Sequence, residues 1–277
     1  MEVLKQRSLS NTALQPDEPS HLRELIESRD LLFTWVRREF RVRYSQSVIG
    51  GAWAVLQPLA LMAIFSLVFG FVLQVPAEGV PYPVFSYVGS LAWTFFASAL
   101  TFAIPSLVNN MSLVSKIYFP REILPLSAVL VCLADFVIAA ALLIPLMLLS
   151  GVALRWTIVL LPLIIFIQIL LSYGLSLIGA AVNVFFRDVR FVIPLALQVW
   201  LYASPVIYPV GAVPESLRAI YFLNPMAVLI DSYRRVILFG QLPDWGWLGF
   251  AAVVSIFILI LGYRFFKRAE NRFADLI

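Results

Sequence analysis

The chain has 277 residues, of which 61% are hydrophobic and only 13% charged, with a mean hydropathy of +0.92. A soluble domain carries about 25% charged residues, so an ordinary globular protein is excluded. One Cys (Cys132) and one His (His21) exclude a disulfide framework, a thiolate or imidazole metal cluster and a Cys–His nucleophile pair. The net charge of +4 gathers at the borders of apolar runs, which argues against a nucleic-acid surface.

Residues 1–19 are mixed polar and charged and lack the apolar stretch of a secretory signal, so they are expected to form a cytoplasmic tail. Residues 20–44 predict an amphipathic helix. Leu22, Leu25, Ile26, Phe33, Val36 and Phe40 recur at helical spacing opposite Arg37, Arg38, Arg41 and Arg43. Such a helix lies in the headgroup layer. Its arginines either anchor it to anionic lipid or recognise a lipid-linked phosphate, which guanidinium matches bidentately.

Six runs then proceed almost without charge: Tyr44 to Ala77, Gly79 to Ser115, Ile123 to Leu154, Trp156 to Phe186, Phe191 to Pro214 and Trp245 to Tyr263. Crossing the hydrocarbon core takes about 20 apolar residues, because each peptide group must be satisfied within its own segment. The runs predict an all-α membrane domain over 45–264, with spans near 51–74, 85–107, 123–149, 156–184, 191–210 and 245–263. Prolines 125, 145, 162 and 194 predict kinks. Sixteen of the 20 Lys and Arg fall in 1–43, in the segments holding Lys116/Arg121 and Arg187/Arg190, and in the 265–277 tail with adjoining Arg264. The other four are Arg155, Arg218, Arg234 and Arg235. This bias predicts both ends inside.

Asp135 interrupts the third run, where an ionised side chain turns inward to a partner or water. With no relay of further charges across the bilayer, it is read as a structural hydrogen-bonded Asp rather than a proton carrier. Two inner connections, Ser112-Leu-Val-Ser-Lys-Ile-Tyr-Phe-Pro-Arg-Glu122 and Phe185-Phe-Arg-Asp-Val-Arg190, mix aromatics with charge. They are docking points or simply topology anchors. On the outer side, Glu215–Phe222 and Met226–Phe239 read as two short helices split at Asn224-Pro225. These external helices, within 214–238, fold back into the outer leaflet and either cap the bundle or gate a path.

No phosphate-binding loop is present, because the three lysines follow Leu4, Ser115 and Phe266 where glycine is required. Outer carboxylates Glu78, Glu215, Asp231 and Asp244 are scattered, which leaves glycosyl chemistry without a paired site. No catalytic residue and no metal site is expected.

Several motifs in this order resemble one family, the membrane subunit of type-2 ABC exporters for lipid-linked polysaccharides of the O-antigen and teichoic-acid kind. They are Arg37-Arg-Glu-Phe-Arg-Val-Arg-Tyr44, Ile49-Gly-Gly-Ala-Trp-Ala-Val-Leu-Gln-Pro58, Val80-Pro-Tyr-Pro83 and Trp93-Thr-Phe-Phe-Ala-Ser98. Further on come Ser115-Lys-Ile-Tyr-Phe-Pro-Arg121, Asn183-Val-Phe-Phe-Arg-Asp-Val-Arg190, Ser204-Pro-Val-Ile-Tyr208 and Leu223-Asn-Pro-Met226.

The resemblance implies a homodimer in a bacterial inner membrane, with two copies of a separate cytosolic ATPase that carry ATP and Mg. Its cargo would be an undecaprenyl-pyrophosphate-type lipid-linked glycan. By that analogy Lys116, Tyr118, Arg121, Arg187, Asp188 and Arg190 couple to the ATPase. Arg37, Arg38, Arg41 and Arg43 meet the lipid phosphate on entry, and Trp53, Gln57, Trp200 and Tyr202 line the path. Arg218, Tyr221, Asn224, Pro225 and Arg234 belong to the external gate. Hydropathy alone leaves open a type-2 permease for a drug or small molecule, and a membrane enzyme acting on lipid-linked sugars.

Overall fold

The computed structural model describes residues 29–273 apart from 46, 48, 115, 117 and 118. The tail at 1–19, the first part of the 20–44 helix, Tyr118 and the last four residues lie outside the described residues. The described residues form helices joined by turns and irregular connections, with no strand among them.

Helix α1 spans Arg29–Tyr44. A 3-10 turn at Gly50–Ala52 leads into α2, Trp53–Phe65, which continues as a π turn over Ser66–Val72. Helix α3, Tyr82–Ala103, starts behind Pro81 with Pro83 in its first turn, where the missing N–H costs nothing. Short turns α4 (Ser106–Asn109) and α5 (Met111–Val114) follow. Helix α6, Ile123–Ala141, breaks at Leu142 before α7, Leu143–Leu149. Pro145 explains the break, because it has no N–H for the Ala141 carbonyl four residues back. Helix α8 runs Leu161–Phe185 behind a 3-10 turn at Trp156–Leu160, and α9 spans Val189–Tyr202. Helices α10 (Glu215–Tyr221) and α11 (Pro225–Arg234, continued as a π turn to Phe239) precede the long α12, Trp245–Phe273.

Among the described residues, five segments are long and apolar enough to cross a membrane: Gly50–Val72, Tyr82–Ala103, Ile123–Leu149, Trp156–Phe185 and Trp245–Glu270. The fifth predicted run behaves differently. Its helix stops after 14 residues at Tyr202, about 21 Å at 1.5 Å per residue against a hydrocarbon core of about 30 Å. Pro205 and Pro209 account for the early stop, since each disfavours helical geometry in the residue before it.

Helix α3 is the axis of the bundle. The apolar window of α3 is 78% buried, whereas that of the Gly50–Val72 segment is 11% buried. Phe85, Tyr87 and Phe96 of α3 are fully enclosed by α2, α6, α8 and α11. A second apolar cluster joins Trp35 of α1 to Ile123 and Leu124 of α6, Leu177 of α8, and Phe266 and Phe273 of α12. Helices α8 and α12 approach until their backbones touch. A Cβ on Gly174 would sit 2.7 Å from the Leu259 nitrogen, so small residues set this crossing.

The face that α1 lays on the bundle differs from the sequence expectation. Leu31, Leu32 and Trp35 pack inward, while Phe33 is 71% exposed. At about 100° per residue, Arg43 falls on the same side as Leu32 and Trp35, roughly 120° away from Arg37. The four arginines therefore do not form one stripe.

Candidate functional site

At the Lys116 end, the start of α6 is tied to the end of α12. Glu122, although fully buried, accepts from Lys267 Nζ at 2.8 Å, and Lys267 also reaches Glu270 at 3.0 Å. Arg121 donates to the Glu270 carbonyl at 2.9 Å. Arg121 is thus part of a four-member network that fixes the connection holding Lys116, which is itself exposed. Glu122, Lys267 and Glu270 are absent from the sequence-based site because charge at a span border reads as an anchor. Their alternation of sign across two segments 145 residues apart was the only signal.

Arg187 and Asp188 sit in the α8–α9 connection and Arg190 in the first turn of α9, all exposed, with the Arg190 guanidinium 4.7 Å from the Phe191 ring. Trp35 stacks against Phe119 of the first connection, and Arg38 lies 4.5 Å over Trp35 with a long 3.5 Å contact to Asn110. Arg37 and Arg41 are exposed. Of the four arginines assigned to a lipid phosphate, Arg43 is placed elsewhere. It leaves the exposed face and donates to Asp135 Oδ2 at 2.8 Å, with its guanidinium 4.0 Å from the Phe102 ring.

Tyr44 completes that knot by donating to the other oxygen, Asp135 Oδ1, at 2.7 Å. The charge in the middle of the third run therefore has two partners from the end of α1, which pins that helix to α6. Beside the knot lies a cavity of about 190 Å³ between α1, α2, α3 and α6, with Trp53, Gln57 and Thr94 in its wall. The predicted lining residues do not meet in one place. Trp53 and Gln57 line this cavity, whereas Trp200 and Tyr202 stand on α9.

Trp200 packs edge-on against Phe96 and donates from Nε1 to Asn224 Oδ1 at 3.0 Å, and Tyr202 is 59% exposed. Asn224 is the N-cap of α11. Its Oδ1 also accepts from the Met226 N–H at 3.1 Å, while its Nδ2 donates to Ser204 Oγ at 2.9 Å and the Ala203 carbonyl at 3.2 Å. One amide thus ties α9, the turn after it and α11 together, with Pro225 supplying the first helical position.

Arg234 performs a related task at the other end of α11. Its side chain is buried against Phe85, at 3.6 Å from ring centroid to guanidinium carbon. It donates to the carbonyls of Pro205, Val206 (2.8 Å) and Tyr208 (3.2 Å), which the break in helix after Tyr202 leaves without helical partners. Tyr82 donates to the next carbonyl, Ile207, at 2.6 Å. Irregular backbone shut away from water is tolerated only when its polar groups are satisfied, and these side chains satisfy it. Helix α11 is accordingly sunk among α3, α8 and α12. Tyr221 of α10 donates to the Tyr208 hydroxyl at 3.0 Å, and burial followed by that bond pushes its phenol well above the usual range, so it stays a neutral donor. Arg218 makes only a 3.5 Å contact to the Val213 carbonyl. Among the described residues no group of acidic, His and Cys side chains is arranged to hold a metal.

Residues 30–238 match the family described as ABC-2 type transporter. The chain is 34% identical over 263 residues to the O-antigen export system permease protein RfbA of Myxococcus xanthus, covering 92% of this chain and 98% of that protein. It is 29% identical over 250 residues to the protein of the same name from Klebsiella pneumoniae, covering 90% and 95%. Similarity extends to the polysialic acid transport protein KpsM of Escherichia coli, at 24% over 248 residues, covering 84% and 91%. The chain, whose described residues include five long apolar helical segments and which one family model matches over three-quarters of its length, is a member of the ABC-2 type transporter membrane family.

Proposed function

We propose that the chain is the permease subunit of an ATP-driven exporter that carries a lipid-linked polysaccharide, O-antigen-like in kind, outward across a bacterial inner membrane. The observation that carries this reading is the end-to-end similarity to an O-antigen export permease, which leaves little of either chain unmatched. Transport by a separate engine suits a chain without a phosphate-binding loop or paired carboxylates.

In this reading α9 and the turn after it make the sixth crossing, both ends face the cytosol, and α10 and α11 form the external gate. The charge bias of the sequence supports that orientation. Two cytosolic ATPase copies, binding ATP and Mg, engage the end that carries Lys116, Tyr118, Arg187, Asp188 and Arg190, with Arg121 bracing it. A second copy of the chain completes the path. Phe191, Leu195, Val199 and Tyr202 of α9 recur at helical spacing and are all more than half exposed, and Trp53 of the first span is 50% exposed. A face of this kind suits a partner helix. Arg37 and Arg41, exposed at the inner end, take the lipid pyrophosphate, with Arg38 beside them.

Deleting the gene from its host and probing surface glycan tests the function. The expected result is loss of surface polysaccharide with lipid-linked polymer held inside, restored by the gene in trans. Unchanged surface glycan would overturn it.

A further inference from the structure

The network at the Lys116 end carries more charge than holding two helices together requires. Glu122 is fully buried where the connection enters α6, and it binds Lys267 of α12 at 2.8 Å. The Tyr263 hydroxyl of α12 makes a long 3.5 Å contact to the other carboxylate oxygen, and the Tyr173 hydroxyl of α8 a similar one to the Glu122 carbonyl. Replacing a buried ion pair by apolar groups of similar volume is often neutral or stabilising. Apolar contact is already supplied beside it by Leu124, Leu177, Phe266 and Phe273. What the ion pair adds is register. Apolar contact is non-directional and lets helices slide, whereas a charge-assisted bond fixes one axial position of α12 against the connection.

Helix α12 carries that register to the far side of the bundle. It runs 29 residues without a proline, about 43 Å at 1.5 Å per residue. Asp244 caps its start by accepting from the Gly246 and Trp247 N–H groups at 3.0 and 3.2 Å. Trp247 packs there against Phe222 of the α10–α11 turn, with ring centroids 5.3 Å apart, and Ala251 shares a cluster with Ala227 and Val228 of α11. Trp247 and Lys267 stand about 30 Å apart along the helix. No other route is as direct. Helix α6 begins beside the same Glu122 but breaks at Leu142. Helix α8 is bound to α12 itself, since a Cβ on Gly262 would run into the Gly174 carbonyl oxygen, so it follows α12 rather than moving apart from it.

We propose that α12 is the rod that passes movement of the Lys116 connection to the external helices α10 and α11, and that the Glu122–Lys267 pair is the pin joining rod to connection, an assignment that rests on the permease reading above. Glu122 and Lys267 are positioning residues, since they touch neither nucleotide nor cargo in that reading. Arg121 steadies the same end of α12 through the Glu270 carbonyl at 2.9 Å. A shift of the connection therefore moves α12 as a unit, and α12 moves the Phe222 turn that it carries at its other end.

Double electron–electron resonance between spin labels at Leu223→Cys in the two copies of the chain, assembled with the ATPase in nanodiscs, tests this. Leu223 adjoins Phe222 and is exposed, while the native Cys132 is buried and takes no label. The label distance, measured without nucleotide and with ATP and vanadate, should shift in the parent. Glu122→Met should lose most of that shift at near-parent thermal stability, because Lys267 keeps Glu270 at 3.0 Å and no charge is stranded. Glycan moved per ATP hydrolysed should fall about tenfold, in the range of coupling between linked sites. Lys267→Arg preserves the pair and should preserve the shift. Should Glu122→Met not fold, Glu122→Gln keeps the shape with a weaker bond and should show a smaller loss in the same direction. An undiminished shift in the folded Glu122 variant, or no shift in a parent that exports glycan, overturns the assignment. The deletion strain separates the two readings. Glycan still displayed without the gene sinks the permease reading, whereas glycan lost with the gene but a full shift in Glu122→Met sinks only the rod and its pin.

Discussion

Two arginines are drawn into the bundle, and they are accommodated in opposite ways. Arg43 at the end of α1 has a carboxylate, Asp135, and a phenol, Tyr44, that share its site. Arg234 at the end of α11 has no carboxylate within salt-bridge distance among the described residues, and instead gathers carbonyls from Pro205, Val206 and Tyr208 over the Phe85 ring. The first arrangement joins two helices through a charge pair. The second uses a cation as a cap for broken backbone, in the way a side chain caps a helix end. Removing a partner from the first leaves a charge stranded, whereas removing the second strands several neutral acceptors.

The largest effect is expected from Asp135→Ala, which leaves Arg43 buried and unpaired at a cost of about 3–5 kcal/mol. Thermal unfolding of the purified protein should show it, and the double change Arg43→Met with Asp135→Leu should be milder than Asp135→Ala alone, since a pair replaced by apolar groups is nearly neutral. If the double variant is the worse, the pair is not the source of the loss. Next comes Arg234→Met, which removes the donor for three carbonyls and should cost upward of about 3 kcal/mol. Arg234→Lys should recover less than half, because an ammonium lacks the planar fork.

Gly89→Ala attacks the same cage from its other side. The added Cβ would lie 2.7 Å from both Arg234 Nη2 and the Val206 carbonyl oxygen, and overpacking of this kind costs about 1–3 kcal/mol. Equal stability of Gly89→Ala and the parent would contradict the packing described around Arg234. The smallest effect on stability is expected from Arg187→Gln, within about 0.5 kcal/mol for an exposed side chain. Its effect belongs to function: ATP hydrolysis by the assembled exporter should lose its response to cargo while the fold is unchanged. A variant that unfolds would move Arg187 from coupling to structure.

The two arginines also show which features were legible in the sequence. An all-helical membrane chain follows from charge-free runs, because hydropathy acts residue by residue and needs no tertiary knowledge. Asp135 stands out for the same reason. Its partner did not, since Arg43 sits in a run of arginines and only its helical angle, on the side of Leu32 and Trp35, separates it from Arg37 and Arg41. The early end of α9 was written in Pro205 and Pro209, yet a charge-free run conceals it. Arg234 could be assigned to the external helices by position. That it caps carbonyls of the preceding turn depends on contacts 26 to 29 residues away, which no local pattern carries. Trp200 and Tyr202 share a helix but not an environment, one bonded to Asn224 and the other exposed, a distinction made by packing alone.

The most direct test is co-expression with the ABC ATPase subunits of the host, followed by reconstitution in vesicles. The readout is the ATP-dependent appearance of lipid-linked glycan on the leaflet opposite the ATPase. A stable assembly of two permease and two ATPase chains that moves glycan only with hydrolysable nucleotide is expected. Failure to associate with any ATPase, or glycan movement indifferent to nucleotide, would contradict it.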